Sequence, residues 1–280
     1  MNIDSAKVSL DVAHALGEDV GSGDVTAALL PSSLIVEAEI ISRESMVVCG
    51  QAWVNEVFKQ IDNKIEIEWN VIEGEWQEKP TSLCIIHGLA QSVLTAERTA
   101  LNFLQTLSAT ATKTRKYVAQ LHGSKTRLLD TRKTIPGLRF AQKYAVHCGG
   151  GVNHRMGLYD AFLIKENHIK AAGSIAHAIA LARKTDRHLL VEIEVESLNE
   201  LCEAFDAHPD RILLDNFSLE MLSEAVQMNQ PKYCELEASG GITLDNIAAV
   251  AQTGVDFISI GAITKSVKAI DLSLLVREVL

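Results

Sequence analysis

The chain has 280 residues, 47% hydrophobic and 22% charged, with a formal net charge of −10. This composition supports a sizeable buried core and contains no apolar run near the ~20 residues that span a bilayer, while its acidity argues against a nucleic-acid-binding protein. Five scattered cysteines (Cys49, Cys84, Cys148, Cys202, Cys234) form no close zinc or redox pair, and the start at Met1 shows no basic-then-apolar leader, so reduced thiols and a cytoplasmic location are expected.

The first hundred residues read as a mixed α/β unit. Residues 36–43 and 65–72 alternate apolar and polar side chains over part of their length, the pattern of half-buried strands. Between them, Val54, Val57, Phe58 and Ile61 have helical spacing within 52–61. A long helical pattern runs over 96–122 and is expected to stop at Gly123. Beyond that glycine the texture changes to short apolar runs alternating with helical ones. Strands are predicted at 127–130, 161–165, 189–196, 211–215, 233–239 and 256–261. Helices are predicted at 174–185, 198–207, 219–229 and 244–253. Near-continuous apolar strands alternating with helices imply a parallel sheet covered by helices. Their number and rhythm favour a β/α barrel, complete or incomplete, over an open sheet, and no Gly-x-Gly-x-x-Gly turn supports the open-sheet alternative.

Chemistry-bearing residues collect at the ends of these strands. Asp130 leads into Thr131, Arg132 and Lys133; the later runs end at Lys165, Asp215, Ser239-Gly240-Gly241 and Gly261. The C-terminal strand ends of a β/α barrel form its active site. Glu192, Glu194 and Glu196 fall at every second position, so one barrel-facing side of a strand would carry all three and require lysines, arginines or a metal opposite. For any single residue a structural salt bridge is the better reading, but six strand ends together weigh against it. Ser239-Gly240-Gly241 lies before a helix predicted to start near Thr243, where backbone N–H groups can face a phosphate, and Gly261 can complete that cradle. Residues 125–170 hold nine Lys and Arg against three Asp and Glu, which suits an anionic small molecule or, equally, a solvated basic face. Gly149-Gly150-Gly151 implies close backbone approach. Cys148 beside it reads as a packed thiol before a nucleophile.

Several motifs resemble the quinolinate phosphoribosyltransferase family over nearly the whole chain and in the right order. They are Asp130-Thr-Arg-Lys-Thr-Ile-Pro-Gly-Leu-Arg139, Lys143-Tyr-Ala-Val-His-Cys-Gly-Gly-Gly151, Asn153-His-Arg155 and Leu163-Ile-Lys-Glu-Asn-His168. Glu192-Ile-Glu-Val-Glu196, Leu214-Asp-Asn-Phe217, Ala238-Ser-Gly-Gly241 and residues 256–265 continue the match. Glu18-Asp-Val-Gly-Ser-Gly-Asp-Val-Thr26 and Glu97-Arg-Thr-Ala-Leu-Asn102 agree upstream.

The resemblance implies an N-terminal α/β sandwich domain over 1–108, rejoined by 269–280, and an incomplete β/α barrel of seven-stranded type over 109–268, the type II phosphoribosyltransferase architecture. It implies a homodimer or larger homo-oligomer with shared active sites. The implied reaction converts quinolinate and 5-phosphoribosyl pyrophosphate to nicotinate mononucleotide, pyrophosphate and carbon dioxide with Mg2+. Arg132, His154 and Arg155 would hold the quinolinate carboxylates, with Arg98 arriving from the partner subunit. Lys133 and Lys165, with Thr131 beside them, would face the pyrophosphate, and Glu194 and Asp215 would take ribose hydroxyls and magnesium. Ser239, Gly240, Gly241, Ile260, Gly261 and Ala262 would cradle the 5′-phosphate. Two positions depart from the family pattern: Ala109 stands where glycine is usual, and Ser266 where some relatives carry histidine. The alternatives are the similar ModD-type group associated with molybdenum transport, a barrel enzyme using Lys165 as a Schiff base, and a non-enzymatic binding protein.

Overall fold

The computed structural model describes residues 1–230 and 232–280. In chain order the elements begin α1 (Ser5–Asp19), β1 (Ile35–Ser42), β2 (Met46–Val47), α2 (Gln51–Ile61), β3 (Glu66–Trp69), β4 (Trp76–Gln77), β5 (Thr81–Leu89) and α3 (Ala90–Ala119). They continue β6 (Arg127–Leu129), α4 (Arg139–Cys148), β7 (Phe162–Ile164), α5 (Glu166–Ala172), α6 (Ile175–Thr185), β8 (Val191–Val195), α7 (Leu198–Asp206), β9 (Arg211–Asp215) and α8 (Leu219–Met228). The chain closes with β10 (Glu235–Ser239), α9 (Ile247–Gln252), β11 (Phe257–Ser259), α10 (Ala262–Lys265) and β12 (Leu272–Val279). Packing divides it into two units, one of 1–115, 134–150 and 263–280, the other of 116–133 and 151–262.

In the first unit a four-stranded antiparallel sheet runs in the order β12-β1-β5-β3. The C-terminal strand β12 pairs along β1, and Arg277 on it ion-pairs with the buried Glu39. Helix α1 starts where the Asp4 carboxylate accepts the N–H groups of Ala6 and Lys7, and it buries Val8, Val12 and Leu16, four residues apart on one face. Helix α2 buries Trp53, Val54, Val57 and Phe58. Helix α3 starts six residues earlier than its apolar spacing predicts, because β5 feeds it without a breaker. It is continuous through Ala109, so glycine is not needed at that departure, and its Ser108 and Thr112 hydroxyls accept the Cys49 and Val47 N–H groups.

The second unit is a parallel sheet in the order β6-β11-β10-β9-β8-β7. Val191, Ile193, Val195, Ile212, Leu214, Leu236 and Ile258 are buried along it, as parallel strands covered by helices require. Helices α6, α7 and α8 each begin with a serine, Ser174, Ser197 and Ser218, whose hydroxyl accepts an N–H of the first turn. The described residues form six strands here, where the resemblance implied seven. The seventh survives only as a single parallel bridge, in which Val152 exchanges hydrogen bonds with Leu128 and Asp130. Gly149-Gly150-Gly151 before it and the turn-bound residues after it leave no room for a longer strand. Helix α9 begins at Ile247, not near Thr243, because the Asn246 side chain accepts the Thr243 N–H and donates to the Gly241 carbonyl, closing a turn ahead of the helix.

Candidate active site

A cavity of about 430 Å³ opens at the C-terminal ends of the parallel strands. Its wall takes Thr131, Arg132 and Lys133 after β6, His154 and Arg155 after the Val152 bridge, Leu163 and Lys165 from β7, Glu194 from β8, Leu213 and Asp215 from β9, Glu237 and Ser239 from β10, and Ser259 from β11. Every strand contributes, so the sheet curls around the cavity as an incomplete barrel does. The contributions two residues apart on β7, β9 and β10 are the strand period acting on one face.

The electrostatics are divided. Lys165 ion-pairs with Glu194. Burial raises the Asp215 carboxyl above its usual range and Glu194 adds to the rise, while Lys165 and Lys133 oppose it. Burial and the neighbouring Arg132 lower the Arg155 guanidinium, which is the mark of cations crowded where an anion would relieve them. Asp130, fully buried, accepts the Asn153 side chain at 2.6 Å and the His154 N–H at 2.8 Å, fixing the segment that carries His154 and Arg155. The Arg155 guanidinium donates to the Ala161 carbonyl at 3.1 Å.

Beside His154 stands a carboxyl pair, Glu237 of the cavity lining and Glu192, both with side chains 0% exposed. Burial pushes Glu192 up to about 7 and Glu237 up to about 8, and the Glu192 charge adds to the rise at Glu237. His154 Nε2 lies 2.9 Å from Glu192 Oε2 and 3.7 Å from Glu237 Oε2. The shorter contact is close without being aligned as a hydrogen bond. Arg211 reaches Glu237 at 3.5 Å from the other side. Glu196, expected on the same inward face, is instead exposed; it follows the last residue of β8, and its N–H is held by Glu200 at 2.7 Å.

Backbone geometry at the strand ends demands glycine at Gly240, and a lysine side chain crowds Gly261. Gly240 has φ +95°, and a Cβ there would stand 2.0 Å from Asn216 Oδ1 and 3.0 Å from its backbone nitrogen. A Cβ on Gly261 would meet Lys133 Cδ at 2.9 Å. Gly241 follows Ser239 and Gly240 in the same turn, while Ile260 and Ala262 flank Gly261, with Ala262 opening α10.

Arg98 does not line this cavity. It sits on α3 and lines a separate cleft of about 320 Å³ in the first unit with Asp19, Asp24 and Thr95. Ser266, the other departure, accepts the Lys113 ammonium on its backbone oxygen, so no particular side chain is needed for that contact. Cys148 is partly exposed, and a hydrogen bond with Cys49 lowers its thiol, which places it in the first unit's packing and outside the cavity. Reading only the strand-end residue misses Leu163, Leu213, Glu237 and Ser259; stepping two residues back from Lys165, Asp215 and Ser239 finds the first three.

Residues 110–275 match the family model of the C-terminal domain of quinolinate phosphoribosyl transferase, and residues 24–108 match that of its N-terminal domain. The chain belongs to the quinolinate phosphoribosyltransferase family. Among curated family members, a probable nicotinate-nucleotide pyrophosphorylase (carboxylating) of Bacillus subtilis is 40% identical over 262 residues, covering 93% of this chain and 90% of that protein. The nicotinate-nucleotide pyrophosphorylase (carboxylating) of Mycobacterium leprae is 39% identical over 272 residues, covering 94% and 95%. The solved structure of the nicotinate-nucleotide pyrophosphorylase of Francisella tularensis superposes with a TM-score of 0.96 at 50% identity, covering 99% of this chain and 98% of that one. The fold shared with this family member is the antiparallel sheet unit joined to the parallel six-stranded α/β unit. No described helix is long and apolar enough to cross a membrane.

Proposed function

We propose that the chain transfers the 5-phosphoribosyl group of phosphoribosyl pyrophosphate to quinolinate with loss of one carboxylate, giving nicotinate mononucleotide, pyrophosphate and carbon dioxide for NAD biosynthesis. The observation that carries this reading is a single cavity in which Arg132, Lys133, Arg155 and Lys165 stand across from Glu194 and Asp215. Two polyanionic substrates need such a cluster of cations, and a ribose between them needs carboxylate partners.

In this reading Arg132 and Arg155 pair with the quinolinate carboxylates, because a planar guanidinium matches a carboxylate with two parallel hydrogen bonds. Lys133 and Lys165 face the pyrophosphate and stabilise the charge that builds on it as the ribose bond breaks. Ser239, Gly240, Gly241 and the 260–262 turn hold the 5′-phosphate and so fix the anomeric carbon in line with the pyridine nitrogen. The new bond quaternises that nitrogen, and the ring then accepts the electron pair left when the adjacent carboxylate departs as carbon dioxide. No proton has to be removed, so no general base is assigned.

Glu194 and Asp215 are hard oxygen donors that face one space, and Glu194 raises the Asp215 carboxyl, so a divalent cation between them fits the donor set. Mg2+ held there, partly through substrate oxygens, would supply charge neutralisation of the pyrophosphate. Arg98, outside the cavity in its own chain, is assigned to the neighbouring subunit's site in a homodimer. In this reading the chain's partners are its two anionic substrates and a second copy of the chain.

Steady-state kinetics with quinolinate and nicotinate test the assignment. Nicotinate lacks one carboxylate and leaves a half-buried guanidinium without its substrate partner, so its kcat/KM should fall by on the order of a hundredfold or more. Comparable efficiency with the two acids would remove the two-carboxylate site.

A further inference from the structure

In the first unit the start of α2 and the end of α4 bring two thiols together. Cys49 stands just before α2, and Cys148 is the last residue of α4. Their sulfurs and a Glu73 carboxylate oxygen lie within 4.8 Å of one another. The Cys49 thiol hydrogen-bonds both the Cys148 sulfur and Glu73, and the Tyr144 hydroxyl reaches Cys148 and Glu73 as well. Helix α3 holds both backbones in place. Its Ser108 hydroxyl accepts the Cys49 N–H at 3.0 Å and donates to the Cys49 carbonyl at 3.1 Å. About two turns further along, Arg115 donates to the carbonyls of Gly74, Cys148 and Gly149.

Cys49 is wholly buried and Cys148 partly exposed, so a small molecule arriving from solvent meets only the second thiol. The hydrogen bond from Cys49 lowers the Cys148 thiol against the effect of its burial. Burial pushes Cys49 well above the ordinary thiol range, and Cys84 and Cys234 up to about 12. One attacking sulfur thus has a second thiol waiting behind it, the arrangement in which a sulfenic acid is resolved to a disulfide. The cluster suits a metal less well. The Glu73 carboxylate already accepts the Gly50 and Gln51 N–H groups at 2.9 and 3.2 Å, one on each oxygen, which leaves two sulfurs for an ion that asks for four ligands.

We propose that Cys148 and Cys49 form a peroxide-reactive dithiol that closes reversibly to a disulfide between the start of α2 and the end of α4. The Cys148 thiolate attacks one oxygen of hydrogen peroxide, the O–O bond breaks, hydroxide leaves, and Cys148 becomes a sulfenic acid. Cys49 then attacks that sulfur while its proton passes to Glu73. The S–O bond breaks, and the departing hydroxide takes up the proton held at Glu73 as water. Counted from two thiols, one peroxide gives one disulfide and two waters. None of these groups lines the cavity at the strand ends, so the dithiol stands or falls independently of the proposed reaction.

The test uses the full-length protein, reduced, freed of reductant and exposed to equimolar hydrogen peroxide. Peptide mapping of the wild type should give a linked Cys49–Cys148 peptide that dithiothreitol removes. Cys202 is the internal comparison: it is the more exposed thiol, yet Cys148 should be consumed on the order of tenfold faster. Cys49→Ser keeps a hydroxyl donor facing Cys148 but cannot close the bond, so dimedone should capture the Cys148 sulfenic acid in that variant and little of it in wild type. Cys148→Ser should leave only the slow background oxidation. Equal rates at Cys148 and Cys202, or oxidised Cys148 found only as sulfinic acid or joined between chains, would overturn the proposal. So would one zinc per chain that survives dialysis and blocks peroxide until it is chelated, because the pair is then a metal site. If Cys49→Ser fails to fold, the linked peptide and the rate ratio in wild type decide alone.

Discussion

Asp215, Glu194, Glu192 and Glu237 stand on adjacent strands, yet depth gives them different chemistry. The two at the strand ends share the cavity mouth with Lys165 and Lys133, whereas the two further down face a histidine ring and Arg211. Burial raises Glu237 from 4.5 to about 8. The folded carboxyl therefore keeps its proton through a pH range in which the unfolded chain has already lost it. The sign follows: the stabilisation is complete below the unfolded value and is lost as pH rises through the folded one. Glu237→Gln, neutral at every pH, should consequently show a melting temperature that falls less than that of wild type between about pH 5 and 8. Parallel melting curves across that range would mean Glu237 is ionised in the fold. In the sequence the strand-end residues were legible because Lys165, Asp215 and Ser239 interrupt apolar runs. The deeper layer was only half legible. Glu192 and Glu237 lie on the right period, but nothing in a single sequence says that a histidine from another loop will meet them, and Glu196 has the same spacing yet lies exposed beyond the strand.

Most elements of the second unit were legible because parallel strands buried on both faces are near-continuous apolar runs and serines stand at the starts of α6, α7 and α8, whereas the short α5 was not. Their ends were less so: the turn that Asn246 closes displaces the start of α9, and the seventh strand shrinks to the Val152 bridge. In the first unit β5 and β12 carried weak signals. Thr81–Leu89 runs straight into α3 with no intervening turn, and the pairing of β12 with β1 joins residues more than two hundred positions apart. The Gly240 turn shows how tightly the strand ends are tied together. Asn216, itself at φ +57°, donates its N–H to the Ser239 carbonyl and fills the space a Gly240 side chain would need. Gly240→Ala should cost about 1–3 kcal/mol in unfolding free energy, read by denaturant titration, and should raise the KM for phosphoribosyl pyrophosphate more than that for quinolinate. An alanine variant as stable as wild type, with both KM values unchanged, would show that the turn tolerates a Cβ.

At the scale of the whole molecule, the cavity draws its own cations from one unit while Arg98 lines a cleft in the other. The homodimer assignment makes a quantitative demand. Arg98→Ala and Glu194→Ala chains should each be nearly inactive, and after random subunit exchange the mixture should recover roughly a quarter of wild-type activity, because half the dimers are mixed and each has one intact site. Verified exchange with no recovery would place Arg98 in its own chain's chemistry or outside the chemistry altogether. The family was legible at this scale because its motifs run from residue 18 to residue 265 in order, whereas a dimer leaves no trace in one chain's periodicity. The central claim, decarboxylating phosphoribosyl transfer, is tested most directly by a single turnover with quinolinate labelled in the carboxylate next to the ring nitrogen, in the presence of Mg2+. One labelled carbon dioxide should appear for each nicotinate mononucleotide formed, and only when phosphoribosyl pyrophosphate is present. Carbon dioxide released without phosphoribosyl pyrophosphate, or none released with it, would contradict the account.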